Sequence, residues 1–227
     1  MNESSSAFSD AAAVARYAEG PPRLVPGFAD LQRMAAILLA ERAPDDARVL
    51  VLGAGGGLEL KAFAEAHPGW SFTGVDPARP MLDLAATLLG PLASRVDLLQ
   101  GYIDDAPGGP FDAGACLLTL HFLAAEERRR TLREVHRRLR PGAPFVVAHA
   151  SFPQEDGQRA LWLSRYAAFA MASGINPAQA EAGRAAVDRH LHLLKPDEDE
   201  AILEDAGFTG VSLFHVGFTF RAWVAYA

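Results

Sequence analysis

Gly53, Gly55 and Gly57 follow the apolar run Val49-Leu50-Val51-Leu52. Asp76 closes a second run, Trp70-Ser71-Phe72-Thr73-Gly74-Val75. Glycines behind a strand let the backbone turn sharply and leave main-chain N–H groups open to a ligand. An ionised carboxylate only accepts hydrogen bonds and can engage two donors at once, which suits the paired hydroxyls of a ribose. Asp76 stands about 20 residues beyond the glycines, where the second strand of a doubly wound sheet presents such an acid. These residues make a nucleoside-cofactor site. A pyrophosphate fingerprint, G-x-G-x-x-G, needs a glycine where this chain has Leu58, so a dinucleotide is the poorer match.

The actual spacing, Gly53-x-Gly55-x-Gly57, resembles the first motif of class I S-adenosylmethionine-dependent methyltransferases. That resemblance implies S-adenosyl-L-methionine as cofactor. It puts Gly53, Ala54, Gly55 and Gly57 around the methionine moiety and Asp76 on the ribose hydroxyls, with Pro77 and Met81 walling the adenosine. Asp76 could also cap a helix beginning at Pro77, a role compatible with the first. At the end of the third strand the resemblance brings Tyr102 to the adenine, by stacking, and Ile103 through its backbone N–H. Thr119 and His121, at the end of the fourth, would lie beside the reacting centre. A near-neutral imidazole there either deprotonates the acceptor or shapes the pocket with its ring. Asp104 and Asp105 precede Pro107-Gly108-Gly109-Pro110 and belong to a solvated turn, with no metal site implied.

The elements that would position these residues alternate. Strands are expected at Arg48–Leu52, Ser71–Val75, Val96–Gln100, Ala113–Leu120 and Pro144–Ala150, with helices at Leu58–Ala66, Pro80–Leu89 and Glu126–Leu139 between them. A helix over Pro196–Ala206 and two strands, Val211–Val216 and Phe218–Tyr226, close the chain. The expected fold is α/β, a doubly wound Rossmann-like methyltransferase sheet of seven strands with the last antiparallel. Residues 1–45 form a helical preamble, with a short helix over Ala11–Tyr17 stopped by Gly20-Pro21-Pro22 and another over Phe28–Arg42. Residues 46–227 form the catalytic domain. Within it, 151–194 is an insertion of two helices, the second opening at Asn176-Pro177, read as a substrate lid.

Composition narrows the partners. The 227 residues can bury one sizeable core, and 21 basic against 28 acidic residues leave a net charge of −7. Unaided nucleic-acid binding usually needs a basic excess, so none is expected and a small molecule is the better substrate. The run Arg128-Arg129-Arg130, Arg133, Arg137-Arg138 reads as a solvated helix face with i,i+4 partners, and Asp197 to Glu200 as acids in a helix first turn. Cys116 is the only cysteine and sits in an apolar run, which suits a buried, inert thiol. Met1-Asn2-Glu3-Ser4-Ser5-Ser6 has no signal-peptide pattern and no segment is apolar enough to span a bilayer, giving a cytoplasmic expectation with no membrane partner.

A nearer resemblance covers nearly everything beyond the first twenty residues. Val25-Pro26-Gly27-Phe28, Leu118-Thr119-Leu120-His121-Phe122-Leu123, the insertion, and Ala206-Gly207-Phe208 are similar to the carboxy-S-adenosylmethionine synthase family of tRNA wobble-uridine modification. Those enzymes combine S-adenosylmethionine with prephenate, and an arginine of the inserted helices holds the new carboxylate. Arg184 falls at that position, so carboxy-S-adenosyl-L-methionine is the alternative cofactor. The family's tyrosine is Phe28 here, and its asparagine on the fourth strand is Leu117. Phe28, Tyr166 and Arg184 are accordingly expected to face substrate or carboxylate, in a relative that performs ordinary methyl transfer, with carboxy-S-adenosylmethionine synthesis or a catalytically inactive cofactor-binding subunit as the alternatives. The resemblance also implies a homodimer built on the inserted helices, whose Trp162, Tyr166 and Phe169 form an apolar stripe.

Overall fold

The computed structural model describes residues 17–227. Strands β1 (Arg48–Leu52), β2 (Ser71–Asp76), β3 (Val96–Gln100), β4 (Ala113–Leu117), β5 (Pro144–Ala150), β6 (Thr209–Gly217) and β7 (Phe220–Tyr226) form one sheet. Their order is β3-β2-β1-β4-β5-β7-β6. The first five are parallel and β7 runs antiparallel to both neighbours. β4 and β5 are buried at every position, as strands covered on both faces must be.

Helices cover both faces: α1 (Gly20–Leu24), α2 (Phe28–Ala40), α3 (Leu58–Ala66), α4 (Arg79–Leu89), α5 (Ala125–Arg138), α6 (Gln158–Ala172), α7 (Pro177–His190) and α8 (Pro196–Asp205). One apolar core joins α2 and α3 to Val49, Val51, Ala115 and Val146. The other packs Leu132, Val135, Ile202 and Leu203 against Leu50, Cys116, Phe145 and Trp223. Alternate residues of β1 thus serve opposite cores, the period-two signature of a strand between helical layers. Among the described residues, no helix is long and apolar enough to cross a membrane.

Four local readings are corrected. β4 stops at Leu117 rather than Leu120, because Leu118 takes φ +58° and a 3₁₀ turn at Leu120–Phe122 follows. β7 begins at Phe220 because Phe218, at φ +50°, belongs to the hairpin turn, and β6 begins two residues early, at Thr209. Gly20-Pro21-Pro22 opens α1, since proline at a first turn forfeits only an N–H with no helical partner. Arg128 and Arg138 are not on a solvated face: both are buried, and Arg128 pairs with Asp199, a first-turn acid of α8 as expected, with His149 Nε2 3.1 Å from the same carboxylate. The expected helix over Ala11–Tyr17 lies outside the described residues except for Tyr17.

The insertion leaves β5 at its carboxyl end and returns beside it. Ser151 and Leu194 form a β-bridge, and Phe152 N–H donates to the Leu194 carbonyl at 3.3 Å. Its helices meet through Tyr166, buried against Phe220, while Asn176 caps α7 by accepting from Gln179 N–H at 2.9 Å.

Candidate functional site

The parallel pairing of β1 with β2 brings Leu52 level with Val75, so the glycine turn and Asp76 leave the sheet together. Gly53 and Ala54 donate their N–H groups to the Val75 carbonyl at 2.8 and 3.1 Å, which bends the chain across the top of β2. Gly53 takes φ +73° and packs so tightly on Thr119 that a Cβ would overlap its side chain. Gly55 takes φ +46° and donates to Asp76 Oδ2 at 2.9 Å. Gly57, at φ +81°, also packs closely: a Cβ there would sit 2.9 Å from Ala85 of α4.

Asp76 is partly buried. Its second oxygen accepts from Ala78 N–H at 2.8 Å. The N-cap of α4 is Ala78 itself, so the helix-cap role does not describe Asp76. Burial raises its pKa, and the two backbone N–H groups oppose that rise. A carboxylate offers about four lone-pair sites, so two remain for the hydroxyls of a ribose.

Met81 is buried with its Cε 3.7 Å from the position of a Cβ on Gly55, against the turn as a wall should be. Pro77 is exposed and its carbonyl accepts from Gln100 Nε2 at 3.3 Å. Ile103 is buried, whereas the Tyr102 ring is 63 % exposed on the rim and its N–H donates to Asp105 Oδ2 at 2.8 Å. Thr119 donates its hydroxyl to the Leu117 carbonyl at 3.1 Å, which fixes the side chain that Gly53 packs on.

His121 is buried. Its Nδ1 accepts the Ala150 N–H at 3.0 Å, and its own carbonyl accepts from His192 N–H at 2.8 Å. Burial, with His149 and Arg128 nearby, pushes the imidazole down to about 3. The ring is therefore neutral, and one nitrogen is committed to tying β5 to the end of β4. Phe28 and Tyr166 lie in the same apolar core, and burial pushes the Tyr166 phenol up to about 12. Arg184 is partly exposed, and its Nε donates to Glu181 at 2.7 Å on the same helix. Thus Gly53, Gly55, Asp76, Met81 and Thr119 gather around the turn, while Tyr102 and Pro77 form a rim. Arg184 is engaged within the 151–194 insertion, by Glu181 of its own helix.

Two residues of this site were missed from the sequence. Tyr17 lays its ring over the turn, with Cδ1 2.7 Å and its hydroxyl oxygen 3.4 Å from the Cβ positions of Gly56 and Gly55. No spacing rule connects it to glycines nearly forty residues away. Glu59 is only 8 % exposed, in the first turn of α3. Its signal was an acid placed two residues after Gly57 on a helix whose next residues are core. Burial raises both the Tyr17 phenol and the Glu59 carboxyl, and each lies within the electrostatic reach of Asp76.

Residues 49–142 match a family model described as a methyltransferase domain. Over 224 residues the chain is 28 % identical to the carboxy-S-adenosyl-L-methionine synthase of Chromohalobacter salexigens, covering 96 % of this chain and 82 % of that protein. An O-methyltransferase family protein from Burkholderia thailandensis superposes with a TM-score of 0.72 at 19 % identity, over 96 % of this chain and 61 % of that one. Human N-acetylserotonin methyltransferase, solved with S-adenosylmethionine, superposes at 0.67 and 15 % identity, over 96 % and 57 %. The chain thus spans about three fifths of those two solved proteins.

Proposed function

We propose that this chain, which carries a class I S-adenosylmethionine-dependent methyltransferase domain, transfers a methyl group to a small-molecule acceptor held beneath the 151–194 lid. The observation that carries this reading is the coupling of the glycine turn to Asp76: Gly55 N–H binds one carboxylate oxygen of a group that retains further acceptor capacity. The residues fit the cofactor, because the glycines of the turn bring no side chain of their own, with Met81 as a wall and the Tyr17 ring over the turn. S-adenosylmethionine, when bound, supplies an electrophilic methyl group.

The chain's own residues then bind, orient and exclude water. Asp76 fixes the ribose, and the Gly53–Gly57 backbone admits the amino-acid tail. The carboxyl end of β4, turned away from the sheet at Leu118, supports the acceptor side through Thr119 and His121. In this reading His121 holds the acceptor pocket by its Ala150 bond and does not take up a proton. Catalysis is then mainly alignment and exclusion of water. Arg184 receives an acidic group of the acceptor by exchanging its Glu181 partner. The reading includes a homodimer that covers the exposed Leu161 and Met171 of α6, and a one-chain mass by light scattering would remove that part.

A carboxy-S-adenosylmethionine synthase-like activity is the second reading, favoured by the likeness to the Chromohalobacter salexigens enzyme over 96 % of this chain. Mass spectrometry of ligand released from the purified protein separates the two. We expect S-adenosylmethionine or S-adenosylhomocysteine. A ligand heavier by the added carboxylate, or prephenate consumed with S-adenosylmethionine, would reverse the ranking.

A further inference from the structure

Among the described residues three acids are buried below one tenth exposure: Glu59, Asp112 and Asp199. Two have a cation. Asp112 lies 2.6 Å from Arg140 Nη1, and Asp199 is paired with Arg128 and His149. Glu59 has no cationic side chain among the described ion pairs, and its neighbours make the deficit worse. Asp76 adds a second acid, and Tyr17 and Cys116 are groups that can only become more negative. The one favourable contact resolved for the carboxylate is its own backbone N–H. Desolvating an acid without a partner is expensive, and such groups concentrate where a ligand completes the pairing.

The placement of Glu59 narrows the choice of cation. Glu59 is buried in the first turn of α3, two residues beyond Gly57, and Tyr17 and Asp76 both contact the same glycine turn. We infer that Glu59 receives the α-ammonium group of the cofactor's methionine tail, an inference that rests on the S-adenosylmethionine reading above. The other parts of that ligand suit it less. The tail carboxylate would be repelled, the sulfonium has no N–H to donate, and the ribose hydroxyls belong to Asp76. An ammonium brings three donors and a full charge to an acceptor-only group. Glu59 is in this sense a specificity residue for the amino-acid half of the ligand, as Asp76 is for the nucleoside half.

The test is calorimetric, on the full chain, with three ligands and the variants Glu59→Gln and Asp76→Asn. S-adenosylmethionine and S-adenosylhomocysteine keep the ammonium, and 5′-methylthioadenosine lacks the whole tail. Glu59→Gln should weaken the first two by about tenfold or more and 5′-methylthioadenosine by less than about twofold, while Asp76→Asn weakens all three. Equal losses for all three ligands with Glu59→Gln, or no loss, would overturn the inference and leave the cofactor reading standing. Failure of the wild type to bind any of them would overturn the cofactor reading itself. If Glu59→Gln does not fold, the wild type decides. Titration near pH 6.5 in buffers of different ionisation enthalpy should register proton release with S-adenosylhomocysteine and much less with 5′-methylthioadenosine, because Asp76 faces both ligands alike. Equal release would count against Glu59.

Discussion

Replacing Glu59 by glutamine should stabilise the ligand-free protein, and by an amount that depends on pH. In the unfolded chain this carboxyl titrates near its ordinary value of 4.5, and in the fold burial raises it to about 8. A group whose pKa is raised on folding holds its proton longer in the native state. Stability is therefore fully present below about pH 4.5 and is lost as pH climbs to about 8, where the native carboxyl also ionises. Across that interval, at about 1.4 kcal/mol per pH unit, the loss is at most about 5 kcal/mol. Water entering the turn relaxes part of it, so about 2–5 kcal/mol is the working range.

Glutamine has nearly the same shape and does not titrate, so the variant lacks this slope. Every other titrating group is common to both proteins and cancels in the difference. Thermal melts without ligand should show a gain of at most about 1.4 kcal/mol, roughly 3–6 °C, for Glu59→Gln at pH 5.5. The gain should be about 5–15 °C at pH 8.5, using roughly 2–4 °C per kcal/mol for a chain of this size. A difference between variant and wild type that stays flat from pH 5.5 to 8.5 would refute the reasoning, because it would mean that the carboxyl ionises normally in the fold. A stabilised variant that binds cofactor poorly is the expected signature of a site that trades stability for function.

Asp199→Ala should cost about 3–5 kcal/mol in urea unfolding at pH 7, since it strands the Arg128 guanidinium at 1 % exposure. Burial pushes Asp199 up, but His149 and Arg128 outweigh it and hold the carboxyl below its usual value, so its contribution persists at neutral pH and disappears as the solution is acidified below about pH 4. Gly53→Ala should destabilise by about 1–3 kcal/mol and abolish cofactor binding by calorimetry, because the backbone sits at φ +73° and Thr119 fills the space a methyl would need. A Gly53→Ala protein with wild-type melting and affinity would mean that the turn is not held as described.

What could be read from the sequence was local. The glycine turn, Asp76 and the alternation of strands and helices are written within short stretches, where period and turn chemistry act directly. The end of β4 was misread because a leucine at positive φ has no sequence signal. It is imposed by the strand's surroundings, the Leu118 N–H donating to the Ala148 carbonyl at 2.6 Å. Arg128 was misread for a related reason. Its helix carries real i,i+3 pairs on the exposed side, Glu127–Arg130 and Glu134–Arg137 among them. Nothing in that pattern tells which arginine turns inward to meet an acid 71 positions away. Tyr17 was missed because only the folded chain brings it to the turn.

The buried charges divide in a way that bears on where function lies. On one side of the sheet Asp199 has Arg128 and His149 against one carboxylate oxygen, with Arg128 also donating to the His192 carbonyl at 2.8 Å and so fastening the end of the 151–194 insertion to α5 and α8. That cluster gives its acid a cation, while Arg128 Nε, His149 Nδ1 and Asp199 Oδ2 are buried without a hydrogen-bond partner among the described residues. His121, next to it, is correspondingly held neutral and committed to the backbone. At the glycine turn the balance is open: Glu59 and Asp76 are both raised by burial, and no described ion pair includes either. A fold that gives its other buried acids, Asp112 and Asp199, a cationic partner would gain stability by replacing Glu59 with a neutral side chain. Its retention here is explained if the balancing charge arrives with the ligand, so that the site is electrostatically complete only when occupied.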